Sequence, residues 1–165
     1  LATCAVMPLV ISLQPLIFGI SQLVTALQIG VFFAIGLYKV RKPGSLLIMA
    51  LMMGLIQLMM SPPMFLSSVL NGVLIELIVL LLFRGYERDT AVFVAAMLHT
   101  PLSLPFNYLY NRLVKGADSP LAAVADRAPL AAVGMTLAVT AVSALGALIG
   151  IKIARELKKS GVLKK

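Results

Sequence analysis

The chain has 165 residues, 61% of them hydrophobic and 12% charged, and carries a formal net charge of +8. A soluble domain holds about 25% charged and 45–50% apolar residues, so this composition cannot cover a water-facing surface. It excludes a soluble enzyme, and it excludes a nucleic-acid binder as well. The basic residues sit between apolar runs, where they report topology and contact with anionic lipid, and no basic groove interleaves with aromatics.

Six apolar segments follow one another along the sequence. The first, 1–18, contains Pro8, Pro15 and the single cysteine, Cys4, which rules out an internal disulfide and leaves no basis for a cysteine metal site. It begins at Leu1 with no basic stretch ahead of it, so it is not read as a cleavable signal, and a short basic start is expected upstream. The second and third segments, 20–38 and 44–60, flank "YKVRKPG". The fourth, 64–83, follows "SPP"; the fifth, 90–112, holds Pro101 and Pro105; the sixth, 129–157, is the longest. About 20 apolar residues cross a hydrocarbon core, so several segments are short and require tilt or local thinning. The connection 113–128 is long and mildly amphipathic, and reads equally as a lid or as a plain connector.

Charge distribution tests the count. With six spans, Lys39, Arg41, Lys42, Arg84, Arg88, Lys152, Arg155, Lys158, Lys159, Lys164 and Lys165 share one side, against Arg112, Lys115 and Arg127 on the other. That bias predicts both termini in the cytoplasm. The expected fold is all-α: one domain over residues 1–165, a polytopic bundle of six transmembrane helices in the cell membrane.

Polar side chains inside the membrane need partners or a function. Glu76 lies within "FLSSVLNGVLIELIVLLLF", with His99 on the fifth segment as a candidate partner for substrate contact, proton handling or a structural tie. Ser68 and Asn71 precede Glu76 on the same segment. On the fifth, His99, Ser103, Asn107 and Asn111 recur every four residues and draw a slowly drifting polar stripe. Pro101 and Pro105 each remove a backbone donor and free a carbonyl one turn earlier, as at the lining of a cavity. Phe106, Tyr108 and Tyr110 stack a flat ligand or anchor the interface. Ser21, Thr25 and Gln28 on the second segment and Gln57 on the third add further polar groups in the same half. The expected binding residues are Glu76, Asn71, His99, Ser103, Asn107, Tyr108, Asn111, Gln57 and Gln28. No Walker loop, HExxH, GxSxG or acid cluster occurs, so neither catalysis, a metal nor a cofactor is expected. Gly146, Gly150 and Ala154, four apart, form a surface that admits another helix closely, either the first helix of the bundle or a partner's.

"YKVRKPGSLLIMALMMGLIQLMMSPPMFLSSVLNGVLIELIVLLLF" and the closing "GALIGIKIARELKKSGVLKK" together resemble the membrane substrate-binding (S) components of energy-coupling factor (ECF) vitamin transporters. The similarity covers about 39–86 and 143–165 and is nearest to the thiamine-precursor branch and a related branch of unassigned substrate. It implies a six-helix protein that captures a vitamin-like molecule from outside, thiamine or hydroxymethylpyrimidine as first guess. It also implies docking on a transmembrane coupling subunit driven by two cytoplasmic ATPases, with toppling of the S component during transport. Such proteins carry an Ala-x-x-x-Ala docking surface on the first helix; here Ala2 and Ala5 stand three apart. Gln57 stands where that branch has an acid, and Glu76 matches its fourth-helix acid. Two other readings remain open: a stand-alone transporter coupled to protons through Glu76 and His99, and a membrane scaffold subunit.

Overall fold

The computed structural model describes residues 18–59, 62–114, 116 and 119–161, and nearly all of these are helical. Among the described residues six helices follow in order: α1 (Ile20–Val40), α2 (Ser45–Leu58), α3 (Pro62–Phe83), α4 (Asp89–Val114), α5 (Pro120–Arg127) and α6 (Pro129–Lys159). Four of them, α1, α3, α4 and α6, are long and apolar enough to cross a membrane. The third predicted segment becomes α2, whose 14 residues rise only about 21 Å. The connection 113–128 is not irregular throughout: it contains α5. The first predicted segment, with Ala2 and Ala5, lies outside the described residues, apart from the buried Phe18.

Local chemistry fixes the helix ends. Arg41 closes α1 in the left-handed region, donating its N–H to Leu37, and Pro43 two residues on cannot continue the helix. Asp89 opens α4 with negative charge at the positive end of the helix dipole. Pro129 opens α6, at the one helical position where its missing N–H costs nothing.

The tightest packing joins α1 to α6, which run parallel, Leu27 meeting Gly146 and Val31 meeting Gly150. A Cβ added at Gly150 would lie 2.7 Å from Val31 O and 2.7 Å from Ala34 Cβ, and one at Gly30 would lie 2.8 Å from Ser143 O. A Cβ at Gly146 would run into the Leu27 carbonyl. Lipid supplies no hydrophobic force between helices, so this backbone-to-backbone approach is what holds the pair. Gly146, Gly150 and Ala154, the surface expected to meet the first helix or a partner, are buried, and the two glycines lie against α1 of the same chain. The neighbour is the second predicted segment.

Helix α4 packs on both α1 and α6, with Ser143 Oγ donating to Ala96 O across the contact at 3.4 Å. Helices α2 and α3 form a second close pair through Gly72 and Ala50, joined by Ser68 Oγ donating to Ala50 O at 3.0 Å. At the basic end, Asp89 receives Arg41 at 2.5 Å and Arg155 at 2.6 Å, tying together the ends of α1, α4 and α6. Arg41 also donates to the Glu87 carbonyl and lies 4.0 Å over the Tyr38 ring.

Replacing Gly150 with Leu is expected to drive a side chain into the α1 backbone and to cost at least the 1–3 kcal/mol typical of overpacking. Gly134 has nothing within 4 Å of an added Cβ, so Gly134→Ala is expected to be neutral. Thermal unfolding of both variants in detergent checks the pair.

Candidate binding site

Helix α4 continues through Pro101 and Pro105, but the carbonyls one turn earlier, Met97 and Pro101, lose their usual donors. Two polar contacts brace this stretch. Ser103 Oγ donates to Thr100 O at 2.6 Å. With its amide assigned so that donors meet acceptors, Asn71 donates to Leu102 O and accepts from Ser103 N–H, both at 3.2 Å. Asn71 of α3 therefore clips the proline-interrupted part of α4 in place.

Between α1, α2, α3 and α4 lies a cavity of about 300 Å³. Ser21, Gln22, Thr25 and Ile29 reach it from α1, and Met53, Ile56 and Gln57 from α2. Met64, Ser67, Ser68 and Asn71 come from α3, and His99, Thr100, Ser103 and Asn107 from α4. These are early residues of α1 and α3, late residues of α2, and residues from the middle of α4 onward. The cavity therefore occupies the half of the bundle away from the Arg41–Asp89–Arg155 cluster.

Part of this lining is already bonded. Thr25 donates to Ser21 O at 2.8 Å, Ser21 donates to Gln22 at 2.8 Å, and Ser68 reaches Ala50. Other groups are not. His99 Nδ1 and Thr100 Oγ1 are buried with no hydrogen-bond partner among the described residues, the His99 ring stacking on Phe33 with centroids 4.1 Å apart. A buried polar atom left unpaired costs about 1–3 kcal/mol. The side chains of Gln57 and Asn107 line the same cavity and make no hydrogen bond to any described residue.

Five of the expected binding residues meet here: Asn71, His99, Ser103, Asn107 and Gln57. Four do not. Asn111 is turned away, donating to Asn107 O at 2.8 Å and accepting from Ser119 at 3.0 Å. Three steps of four residues rotate a position by about 120° on a helix of 3.6 residues per turn, so the stripe leaves the cavity before reaching it. Tyr108 donates to Asp126 of α5 at 2.7 Å, and Arg112 joins the same carboxylate at 2.7 Å. Gln28 sits on an exposed face of α1. No described residue of α5 lines the cavity; its Ala125 packs instead with Phe18, Leu104 and Val139. Among the described side chains of 113–128, none touches the cavity.

Glu76 also lies outside the lining, for a physical reason. Five residues separate it from Asn71, which places it about 140° around the helix. One oxygen accepts the Gly44 N–H at 2.6 Å and the other the Tyr86 hydroxyl at 2.9 Å. Gly44 sits at φ 86°, in the turn between α1 and α2, and Tyr86 is fully buried in the turn between α3 and α4. Burial first, then the Glu76 carboxylate, push the Tyr86 phenol above its ordinary pKa, which keeps it a donor. Glu76 thus ties two turns together, and His99 is not its hydrogen-bond partner.

The family described as a hypothetical bacterial integral membrane protein, Trep_Strep, matches residues 1–159. The chain belongs to that family. No curated protein and no solved structure matches it. In this Trep_Strep chain, sequence reasoning missed Gln22, Ser67 and Thr100 and the apolar lining. The signal was present: Ser67 precedes Asn71 by four residues, Met53 precedes Gln57 by four, and Gln22 precedes Thr25 by three.

Glu76→Ala is expected to strand the Gly44 N–H and the Tyr86 hydroxyl and to lower stability by about 3 kcal/mol, with Tyr86→Phe costing less. Thermal melts of the two variants and the parent in detergent check this order.

Proposed function

We propose that this protein is the substrate-binding S component of an ECF-type importer in the bacterial cell membrane. In this reading it has six transmembrane helices, residues 1–18 supplying the first, and both termini face the cytoplasm. The cavity takes a small vitamin-like heterocycle from outside. A transmembrane coupling subunit and two cytoplasmic ATPases complete the transporter, and all ATP hydrolysis belongs to those partners.

The observation that carries the reading is the cavity itself. Four helices bring hydroxyl, amide and imidazole groups to a space of about 300 Å³ confined to one half of the bundle. Ligand sites are concave, mostly apolar and furnished with a few convergent polar groups. A pore requires a polar path through the full depth. Here the opposite half is filled by Ile75, Val79, Leu37, Leu46 and the buried Tyr86, and closed by the Glu76 and Asp89 contacts. Proton coupling through a Glu76–His99 pair loses its basis, since both Glu76 oxygens are engaged with the two turns.

With α1 occupying the groove of α6, docking on the coupling subunit falls to other surfaces, the segment holding Ala2 and Ala5 among them. Co-expression of the tagged chain with a matched coupling subunit and both ATPases is expected to yield a stoichiometric four-protein complex through gel filtration. Elution of the chain alone, beside a known S component that assembles under the same conditions, would sink the importer reading. Gln57→Ala and Asn107→Ala are expected to weaken ligand binding at least tenfold by calorimetry while leaving the melting temperature close to that of the parent.

A further inference from the structure

The cavity lining is polar yet holds no carboxylate, ammonium or guanidinium among its described residues. Five of the chain's six acidic residues are described, and none of them faces the cavity. Glu76 is held by Gly44 and Tyr86, Asp89 by two arginines, Asp126 by Tyr108 and Arg112, and Glu156 by Lys159. Glu87 lies exposed in the turn at the basic end, where its carbonyl receives Arg41. Residues 1–38 of the sequence hold no charged side chain.

Moving an ion out of water into such a site costs several kcal/mol unless an opposite charge meets it. Among the described residues of the lining a cation finds no carboxylate, and an anion finds neither lysine nor arginine. An uncharged molecule pays only for its hydrogen-bonding groups, and the cavity offers partners for those. Gln57 and Asn107 each present a donor and an acceptor with no partner among the described residues, where His99 Nδ1 and Thr100 Oγ1 are also buried without one. Ile29, Met53, Ile56 and Met64 supply apolar wall between them. At about 300 Å³ the space lies at the lower end of ligand pockets and has room for about ten water volumes.

We infer that the ligand of this cavity is an uncharged heterocycle of single-ring size, recognised by its hydrogen-bond donors and acceptors and not by charge. The inference rests on reading the cavity as a binding site and narrows what that site accepts. Of the two first guesses, an aminopyrimidine alcohol meets the description, whereas thiamine, with its fixed thiazolium charge, does not.

The test uses the full chain in detergent and a panel of matched pairs, screened by thermal shift and measured by calorimetry. Each uncharged ring is paired with a carboxylate or quaternary analogue. Pyridine-3-carboxamide is set against pyridine-3-carboxylate, and 4-amino-5-hydroxymethyl-2-methylpyrimidine against thiamine. Binders are expected from the uncharged half only, each charged twin at least tenfold weaker. In Gln57→Glu, which puts one carboxylate at the cavity wall, the uncharged binder is expected to weaken about tenfold while the quaternary twin gains by a similar factor. A charged twin that binds the parent chain as tightly as its neutral partner, and is weakened by Asn107→Ala, overturns the inference and leaves the binding site standing. A folded chain that binds no member of either half overturns the binding reading and the ligand class together.

Discussion

The backbone contact between α1 and α6 is the constraint on which the rest of the molecule depends. Gly30, Gly146 and Gly150 let the two helices meet at main-chain distance, where dispersion and close packing replace the hydrophobic force that lipid does not provide. Once that pair is fixed, α4 lies across both helices, and α3 and α2 are added to α4 in turn. The opening between α1 and α2 is then what remains, because those two helices touch only lightly. The cavity is the space that this order of packing leaves unfilled on one side of the bundle.

The two ends of the bundle are built differently. The basic end is crowded with directed contacts: Asp89 with two arginines, Arg41 with the Glu87 carbonyl, and Glu76 with the turns at Gly44 and Tyr86. Arg41 holds a left-handed backbone at φ 46°, a conformation that costs a non-glycine residue roughly 1–2 kcal/mol. Its ion pair, its bond to Glu87 and its stacking on Tyr38 offset that strain. At the other end the described helices of the cavity meet through side-chain walls, and several polar groups there are left without partners. Rigidity at one end and unspent hydrogen-bonding capacity at the other is the arrangement the proposed binding role needs.

Much of this was legible in the sequence, and the failures have identifiable causes. Composition alone gave helices and a membrane, and the four-residue recurrence of His99, Ser103 and Asn107 located the α4 face of the cavity. The same rule failed at Asn111 because 3.6 does not divide four, and the error accumulates with each step. Glu76 attracted attention as an isolated acid in an apolar run, but sequence does not reveal that Gly44, 32 positions earlier, would turn an N–H toward it. The stripe of Gly146, Gly150 and Ala154 announced a close neighbour and pointed to the first helix or a partner; the fold puts α1, the second segment, against its glycines. The helix at Pro120–Arg127 was hidden by its polarity, since its contacts to Tyr108 and Arg112 run through the charge of Asp126.

Gln57 and Asn107 line the cavity without bonding to the described protein around them, whereas Glu76, Asn71 and the glycines of the α1–α6 seam are each committed to holding it together. Residues that recognise and residues that support are therefore largely different residues. Mutation at positions 57 and 107 alters what the cavity greets while drawing little on the stability that keeps the bundle folded. On the proposed importer reading, a lineage carrying this scaffold can exchange one small molecule for another by a handful of substitutions, the frame inherited intact while its cargo changes.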